Sequence, residues 1–319
     1  MKKTVAVLLA LACAPALAAE TYPSKPIRLI IPFPPGGATD ALGRNVVQRL
    51  TETLKQPIIA DNRAGASGIL GLDLASKAPP DGYALVIGQA GNLAINLALM
   101  GKLPYDPVNA FTPITLLATT PNVLVVHPSM PVKSVRDLVA LARSKPGQIN
   151  YASSGIGSPG HITAARFAIA AKISMVHIPF KGAGPALIDV LAGNSHLYFT
   201  SPISAQPFVN SGRLRYVAVA SAKRSPQMPN VPTMAESGFP EVESTSWWGL
   251  MGPANLPKDI VERLHAETVK LLNSAEVKKR LAAEGADAAP TTPAEFSALI
   301  KSEIVKWANL VKVTGVKLE

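Results

Sequence analysis

In the stretch IIPFPPGGATD, residues 30–40, an apolar run is followed by two prolines, Pro34 and Pro35, and two glycines, Gly36 and Gly37. The apolar run predicts a strand, and Leu42, Val46 and Leu50 recur at helical spacing after the turn. Glycine lets the backbone turn sharply, and the first amides of a helix have no acceptor within that helix. With the helix dipole, these amides form a potential site for an anion.

Two further stretches repeat this order of strand, glycine-rich turn and helix start. They are NYASSGIGSPGHI at residues 150–162 and VHIPFKGAGPALI at residues 176–188. In open α/β sheets such loops lie at the carboxyl ends of strands, where ligands bind. The first of these two contains G-x-G-x-x-G, but Pro159 interrupts it and no acidic residue follows about 20 positions later. A dinucleotide site is therefore not predicted.

Strands and helices are predicted to alternate along most of the chain. The predicted strands are residues 27–31, 57–61, 84–87, 123–126, 149–152, 175–178, 197–200, 216–220 and 247–251. Predicted helices include 135–143, 162–171 and 186–191, and the chain from Lys258 onward is expected to be largely helical. This alternation predicts an α/β fold with mostly parallel sheets covered by helices on both faces.

Composition favours an ordered globular protein that attracts anions. Of the 319 residues, 48% are hydrophobic and 16% charged, and the formal net charge is +10. Between Asp137 and Glu236 nine lysines and arginines accompany a single carboxylate, Asp189. Such a balance draws small anions toward the surface. Nucleic acid is not expected, because the positive residues are dispersed and aromatics are scarce. Arg166, outside the three loops, is expected to act mainly on the association rate.

Residues 1–19 are predicted to be a signal peptide, with two lysines, a short apolar core and a small-residue cleavage site at Ala18 or Ala19. Cleavage there would remove Cys13, the only cysteine, so disulfides and thiolate chemistry are not expected. Lipidation of Cys13 is the alternative. Residues 84–100 are too short and too interrupted by polar residues to span a bilayer. An exported, periplasmic protein is predicted.

Ser158 and His161 stand three residues apart in the second loop and are the candidate nucleophile and base of a catalytic site. No G-x-S-x-G pattern is present and no carboxylate lies nearby in sequence, so both are predicted to donate hydrogen bonds to a ligand. A secreted hydrolase using this pair stays as an alternative. The five histidines show no metal-ligand spacing, so neither a metal nor a cofactor is expected. His177 is predicted to be structural, and Trp247 and Trp248 to serve packing, with ligand contact left open.

Several blocks of the sequence resemble the Bug family, the extracytoplasmic solute receptors of tripartite tricarboxylate transporters. They include YPSKPIRLIIPFPPGGATDALGR, DNRAGASGILGLDLASKAPPDGYALVIG, HIPFKGAGPALIDVLAG and SWWGLMGP. The resemblance covers essentially the whole mature chain. It implies an α/β, two-lobed periplasmic binding protein (type II, Venus-flytrap) with a mixed, mostly parallel sheet in each lobe. Lobe 1 would comprise residues 20–122 plus 247–319, and lobe 2 residues 123–246.

The resemblance also implies the function of a receptor without catalytic activity. The expected ligand is a small carboxylate, a di- or tricarboxylate with aromatic acids included, held between the lobes. The expected partners are the two membrane subunits of the transporter, and the receptor itself is expected to be a monomer. A sensor that reports to a two-component system would share these sequence features and stays as an alternative.

Ligand-binding positions follow from the resemblance, residue by residue. They are Phe33, Gly36, Gly37, Ala38, Thr39, Asp40, Gln89, Asn92, Gly157, Ser158, His161, Lys181, Gly182, Ala183 and Thr200. Asp40 is expected to act more as a helix cap or a partner of Arg44 than as a ligand contact. Many relatives have aspartate where this chain has Thr200, which argues against amino-acid ligands.

Overall fold

The computed structural model describes residues 22–315, so the predicted signal peptide and Cys13 lie outside the described residues. Two α/β lobes share the chain, and each is built around one mixed sheet. The first passage contributes β1 (Ile27–Ile31), α1 (Ala38–Leu54), β2 (Ile58–Asn62), α2 (Ile69–Ser76), β3 (Ala84–Gln89), α3 (Asn96–Met100) and β4 (Phe111–Pro121).

The second passage holds β5 (Val123–Val126), α4 (Val135–Ser144), β6 (Asn150–Ser153), α5 (Pro159–Ala171), β7 (Val176–Pro179), α6 (Ala183–Leu191), β8 (Leu197–Thr200), α7 (Pro202–Asn210) and β9 (Arg215–Val219). The chain then returns to the first lobe. This last passage contributes β10 (Thr245–Pro253), α8 (Lys258–Asn273), α9 (Ala275–Ala283), β11 (Asp287–Ala288) and α10 (Pro293–Thr314).

The two sheets have the orders β11-β4-β10-β3-β1-β2 and β7-β6-β8-β5-β9. In the first, β1 pairs in parallel with β2 and β3, whereas β10 and β11 pair antiparallel with their neighbours. In the second, β6 pairs in parallel with β7 and β8, whereas β5 is antiparallel to β8 and β9. The α/β class and the mixed sheets are confirmed. Parallel pairs are fewer than predicted, because the strands that carry the chain between the lobes run against their neighbours.

Strand β1 shows why each sheet lies between two helical layers. Its sequence IRLII has buried apolar side chains on both faces. Ile27 and Leu29 pack into the core formed with α1 and α8, and Ile30 packs into the core on the other face. A strand buried on both faces reads as a nearly continuous apolar run. The carboxyl end of β1 therefore delivers the glycine-rich turn to a fixed place at the edge of the sheet.

The two crossovers between the lobes lie side by side and are held together by buried polar groups. Asn122, the single residue between β4 and β5, donates from Nδ2 to Ser244 Oγ over 2.7 Å. Its Oδ1 accepts from Ser246 Oγ at 2.8 Å. Arg166 donates to the backbone carbonyl of Glu243 at 2.9 Å and to that of Glu241. Arg166 thus holds the segment before the second crossover in place. This structural contact is additional to the electrostatic effect on the association rate that was predicted for Arg166.

Candidate ligand-binding cleft

A cleft lies between the two lobes, at the carboxyl ends of the parallel strands, and the space between its walls is about 490 Å³ when the part open to solvent is included. Both lobes and both crossovers contribute to its wall. The lining residues are Phe33, Pro34, Gly37, Ala38, Thr39, Gln89, Asn122, Ser154, Pro159, Gly160, Ala183, Tyr198, Phe199, Thr200, Ser201, Ser204, Ser246 and Trp248.

Four helices begin at this cleft: α1, α5, α6 and α7. The starts of α1 and α6 have glycines as N-caps, Gly37 and Gly182, without a side-chain cap. The starts of α5 and α7 have serine N-caps followed by proline. Amides of a first helical turn lack acceptors within the helix, and each helix start is the positive end of a dipole. The cleft therefore favours a negatively charged ligand.

The wall of the cleft carries no formal charge. None of its lining residues, all of them within the described chain, is an aspartate, glutamate, lysine, arginine or histidine. Its one ionisable side chain is Tyr198. Burial raises the pKa of Tyr198, and hydrogen bonds with Ser154 and Thr200 only partly oppose that effect, so the phenol stays neutral. An anion held here is held by neutral dipoles alone.

Hydroxyl groups on the wall receive hydrogen bonds from the protein. Thr39 Oγ1 accepts from Trp248 Nε1 at 2.9 Å. Ser204 Oγ accepts from the amide of Ala38 at 2.9 Å, a bond that crosses from one lobe to the other. Ser201 Oγ caps α7 by accepting from the amide of Ile203 at 3.2 Å. The lobes are thus in direct contact across the cleft.

Of the predicted residues in the first loop, Phe33, Gly37, Ala38 and Thr39 line the cleft, whereas Gly36 and Asp40 do not. Asp40 is buried, and its carboxylate accepts from Arg44 Nε at 3.0 Å and from the amide of Gly36 at 3.2 Å. Burial raises the pKa of Asp40, but these hydrogen bonds outweigh it and hold the pKa below its ordinary value.

Asn62 completes this support of the first loop from behind. Its Nδ2 donates both to Asp40 Oδ1 and to the carbonyl of Phe33, each at 2.9 Å. Its Oδ1 accepts from Arg44 at 3.0 Å. Asp40 and Asn62 therefore hold the proline-glycine turn in place, in agreement with the expectation that Asp40 pairs with Arg44.

The predicted residues Gln89 and Asn92 also differ in whether they reach the cleft. Gln89 lines the cleft, whereas Asn92 is fully buried behind it. Asn92 Oδ1 accepts from the amide of Gln89 at 3.0 Å, and its carbonyl accepts from Tyr105 at 2.6 Å. Asn92 thus fixes the helical turn Gly91–Ile95 that follows β3.

In the second loop Pro159 and Gly160 line the cleft, whereas the predicted Gly157, Ser158 and His161 stand behind it. Ser158 Oγ accepts from the backbone amide of His161 at 3.3 Å and so caps α5. The imidazole Nδ1 of His161 accepts from the amide of Gly157 at 3.2 Å. Ser158 therefore bonds the backbone of His161 rather than its ring, which is not the geometry of a nucleophile and its base.

A stack of two imidazoles supports this loop. The rings of His161 and His177 lie 3.9 Å apart between centroids and 5° from parallel. His177 Nε2 lies 2.6 Å from Ser153 Oγ. Burial, together with the neighbouring charge of His177, lowers the pKa of His161 to about 3. Burial lowers the pKa of His177 to about 4. Both rings are neutral at ordinary pH.

The third loop brings Ala183 to the cleft, beside Thr200 from the end of β8. Gly182 has φ +152°, and a Cβ there would lie 2.7 Å from the ring of Pro34. Glycine is required because the two loops approach so closely. Lys181 is exposed and lines a separate groove to which both lobes contribute residues.

Sequence reasoning missed the start of α7 and the contribution of the crossovers. Ser201-Pro202 repeats the pattern of Ser158-Pro159, a serine N-cap followed by proline at the first helical position. This signal predicts a helix start and could have identified α7. Asn122 and Ser246 carry no comparable signal, since only the three-dimensional fold brings them together.

The described residues were also compared with the requirements of a metal site and of a membrane-spanning helix. Among residues 22–315 there is no group of three or more histidine, cysteine, aspartate or glutamate side chains arranged to hold a metal ion. No helix within the described part of the chain is long and apolar enough to cross a membrane.

Two α/β lobes joined by paired crossovers, with helix starts around the cleft between them, form the architecture of a two-lobed periplasmic binding protein. The model of the tripartite tricarboxylate transporter family receptor matches residues 42–316, and the chain belongs to that family. Protein BugT of Bordetella pertussis (strain Tohama I) is 36% identical over 304 residues, which span 95% of this chain and 93% of BugT.

Solved structures support the same assignment. Rpa4515 of R. palustris, solved with adipate, is 34% identical with a TM-score of 0.91, covering 93% of this chain and 99% of that one. MatC of Rhodopseudomonas palustris, solved with bound malate, is 31% identical with a TM-score of 0.86 and coverages of 91% and 100%. The periplasmic binding protein BugD is 29% identical with a TM-score of 0.89 and coverages of 93% and 100%.

Proposed function

We propose that this protein is a periplasmic receptor that captures a small di- or tricarboxylate between its lobes and delivers it to two membrane subunits of a tripartite tricarboxylate transporter. The observation that carries the proposal is the convergence of four helix starts on a cleft whose wall has no charged side chain. The adipate and malate in the related structures support a carboxylate as the ligand. The predicted signal peptide supports export.

The lobes are proposed to be residues 20–122 plus 247–319 and residues 123–246, and to close around the ligand as a monomer. Closure would turn on the crossovers at Asn122 and Ser244, where few covalent connections join the lobes. The bond between Ala38 and Ser204 and that from Ser67 Oγ to the carbonyl of Ile156, both 2.9 Å, belong to the closed arrangement.

The predicted site residues are proposed to act in two groups. The first group contacts the ligand: Phe33, Gly37, Ala38, Thr39, Gln89, Ala183 and Thr200. The second group shapes the loops that present those contacts: Gly36, Asp40, Asn92, Gly157, Ser158, His161, Lys181 and Gly182.

A screen of carboxylic acids by thermal shift, followed by calorimetry, tests the function. A specific ligand at 100 times its dissociation constant adds about 2.7 kcal/mol to the free energy of unfolding. We expect one or more small dicarboxylates to raise the melting temperature and to bind one molecule per chain unchanged. If no carboxylic acid in the screen stabilises the protein, the proposed function is wrong.

The role of the helix-start amides is tested by Ala183→Pro, which removes one amide from the wall of the cleft. Ala183 is the first residue of α6, a position where proline fits the helix. A hydrogen bond to a charged acceptor contributes about 1.5–3 kcal/mol, so affinity should fall roughly ten- to a hundredfold. The matched control is Ala275→Pro, the same change at the first residue of α9, which is exposed and outside the cleft lining. Equal affinities for the two variants would contradict the amide role.

A further inference from the structure

We infer that the cleft is specific for acids that carry no positive charge, and that the hydroxyls of Thr39, Ser201 and Ser204 are its side-chain donors to the ligand. The inference rests on the proposed function and deepens it by narrowing the ligand class. Two independent observations carry it: the orientation of the three hydroxyls and the absence of a carboxylate from the wall.

The three hydroxyls are oriented by the protein. A serine or threonine hydroxyl has one hydrogen to donate and two lone pairs. Each of the three hydroxyl oxygens accepts a hydrogen bond from an N–H group of the protein: Thr39 Oγ1 at 2.9 Å, Ser201 Oγ at 3.2 Å and Ser204 Oγ at 2.9 Å. The hydrogen of each hydroxyl is thereby left for another acceptor. All three residues line the cleft and are buried, with 5%, 6% and 5% of their surface exposed.

The N–H groups that donate to the three hydroxyls belong to different secondary-structure elements. Trp248 lies on β10, Ala38 on α1 and Ile203 on α7. The indole and the two helix starts thus each occupy one lone pair of a hydroxyl at the cleft, and each O–H group stays available to donate to a ligand. A carboxylate only accepts hydrogen bonds, so it matches such a set of donors.

An ammonium group finds no opposing charge on this wall. It only donates, and a buried positive charge needs an opposing charge. The lining contains no aspartate or glutamate. The neighbouring carboxylate of Asp40 is engaged by Arg44, Asn62 and the Gly36 amide. The four helix starts add positive potential, which disfavours a cation further.

Hydroxyl substituents on the ligand meet no such penalty. A hydroxyl both donates and accepts, and the wall offers hydroxyls and the carboxamide of Gln89 for either role. Acids with unsubstituted or hydroxylated carbon chains therefore fit the cleft. The same acids with an amino group in place of hydrogen or hydroxyl do not.

Calorimetry with matched pairs of acids tests the inference on the full mature protein. The pairs are adipate with 2-aminoadipate and malate with aspartate, which cover two chain lengths and differ within a pair by the amino group. For each pair in which the first acid binds, we expect the amino acid to bind at least about a hundredfold more weakly, because its ammonium is buried unpaired. Affinities within tenfold for both members of such a pair overturn the inference and leave the proposed function intact. If no acid in these pairs or in the wider screen binds, the proposed function fails and the inference fails with it.

The donor assignment is tested separately with Thr39→Val and Ser204→Ala. Each should weaken binding of the preferred acid roughly tenfold, since one hydrogen bond to a charged group is lost. The control is Ser134→Ala, which removes the serine cap of α4, a helix outside the cleft lining. Ser204→Thr keeps a hydroxyl and should retain more affinity than Ser204→Ala. Unchanged affinity in both Thr39→Val and Ser204→Ala overturns the assignment of the donors.

Discussion

Acidification should destabilise the fold through the stacked imidazoles of His161 and His177. In the unfolded chain a histidine is protonated below its ordinary pKa of 6.5, whereas His161 has a pKa of about 3 in the fold. Between these values the unfolded state binds more protons, so the free energy of unfolding must fall as the pH falls. The loss is about 1.4 kcal/mol per pH unit for one histidine, which is about 2.7 kcal/mol for His161 at pH 4.5.

His177 adds to the same loss, by less, because its ring is only partly buried. Asp40 affects the free energy of unfolding at lower pH than the histidines do. Its pKa is lowered from an ordinary value of 3.8, so its stabilising effect is lost only as the pH falls to that value and below. Between pH 7 and 4.5 the effect of the two imidazoles on the free energy of unfolding can therefore be measured without that of Asp40.

Urea unfolding at pH 7, 6, 5 and 4.5 measures this loss directly. The comparison variant is His161→Asn, whose side-chain oxygen can still accept from the Gly157 amide but does not titrate. The variant should be less stable than the wild type at pH 7 and should show a clearly shallower dependence on pH. The same free energy of unfolding at pH 7 and 4.5 in the wild type, or equal slopes in both proteins, would refute the reasoning.

Three other predictions concern the loops and the crossovers. Asn62→Ala removes two donated hydrogen bonds behind the first loop. Urea unfolding should therefore show a loss of about 1–3 kcal/mol in the free energy of unfolding, and calorimetry should show weaker ligand binding. Unchanged values for both would exclude a supporting role of Asn62. In Gly184→Ala the new Cβ would lie 2.7 Å from the carbonyl of Pro35, so small-angle scattering with saturating ligand should show a more open particle than the wild type. Arg166→Ala removes two donors to the segment before the second crossover, so its melting temperature should fall at every salt concentration; a salt-dependent association rate with an unchanged melting temperature would restore the purely electrostatic role.

Most of the fold was predictable because strand and helix patterns alternate clearly along the chain. Strand β8, at Leu197–Thr200, has the predicted bounds, and α6 begins three residues before its predicted start. Helix α7 was missed because it carries a proline, Pro207, which normally argues against a helix interior. Strand β4 was missed because Pro113 and several threonines interrupt its apolar pattern.

The site was predictable where the chain itself places a glycine-rich turn after a strand. It was not predictable where neighbours in space are distant in sequence. Trp248 reaches the cleft because adjacent residues of a strand face opposite sides: Trp247 packs against Phe296, and Trp248 bonds Thr39. Whether Ser158 and His161 face the ligand or the protein depends on the first turn of α5, and the sequence cannot distinguish these orientations.

In the folded protein, the one ionisable side chain of the cleft wall stays neutral, so the charge of the wall does not change over a wide range of pH. Tyr198 stays neutral because its pKa is raised. The imidazoles behind the second loop stay neutral because burial lowers the pKa of His161 to about 3 and that of His177 to about 4. From roughly pH 5 to 9 the proton count of the cleft is constant, so the pH dependence of capture follows the ionisation of the acid in solution. Calorimetry across this range would therefore report the pKa values of the ligand.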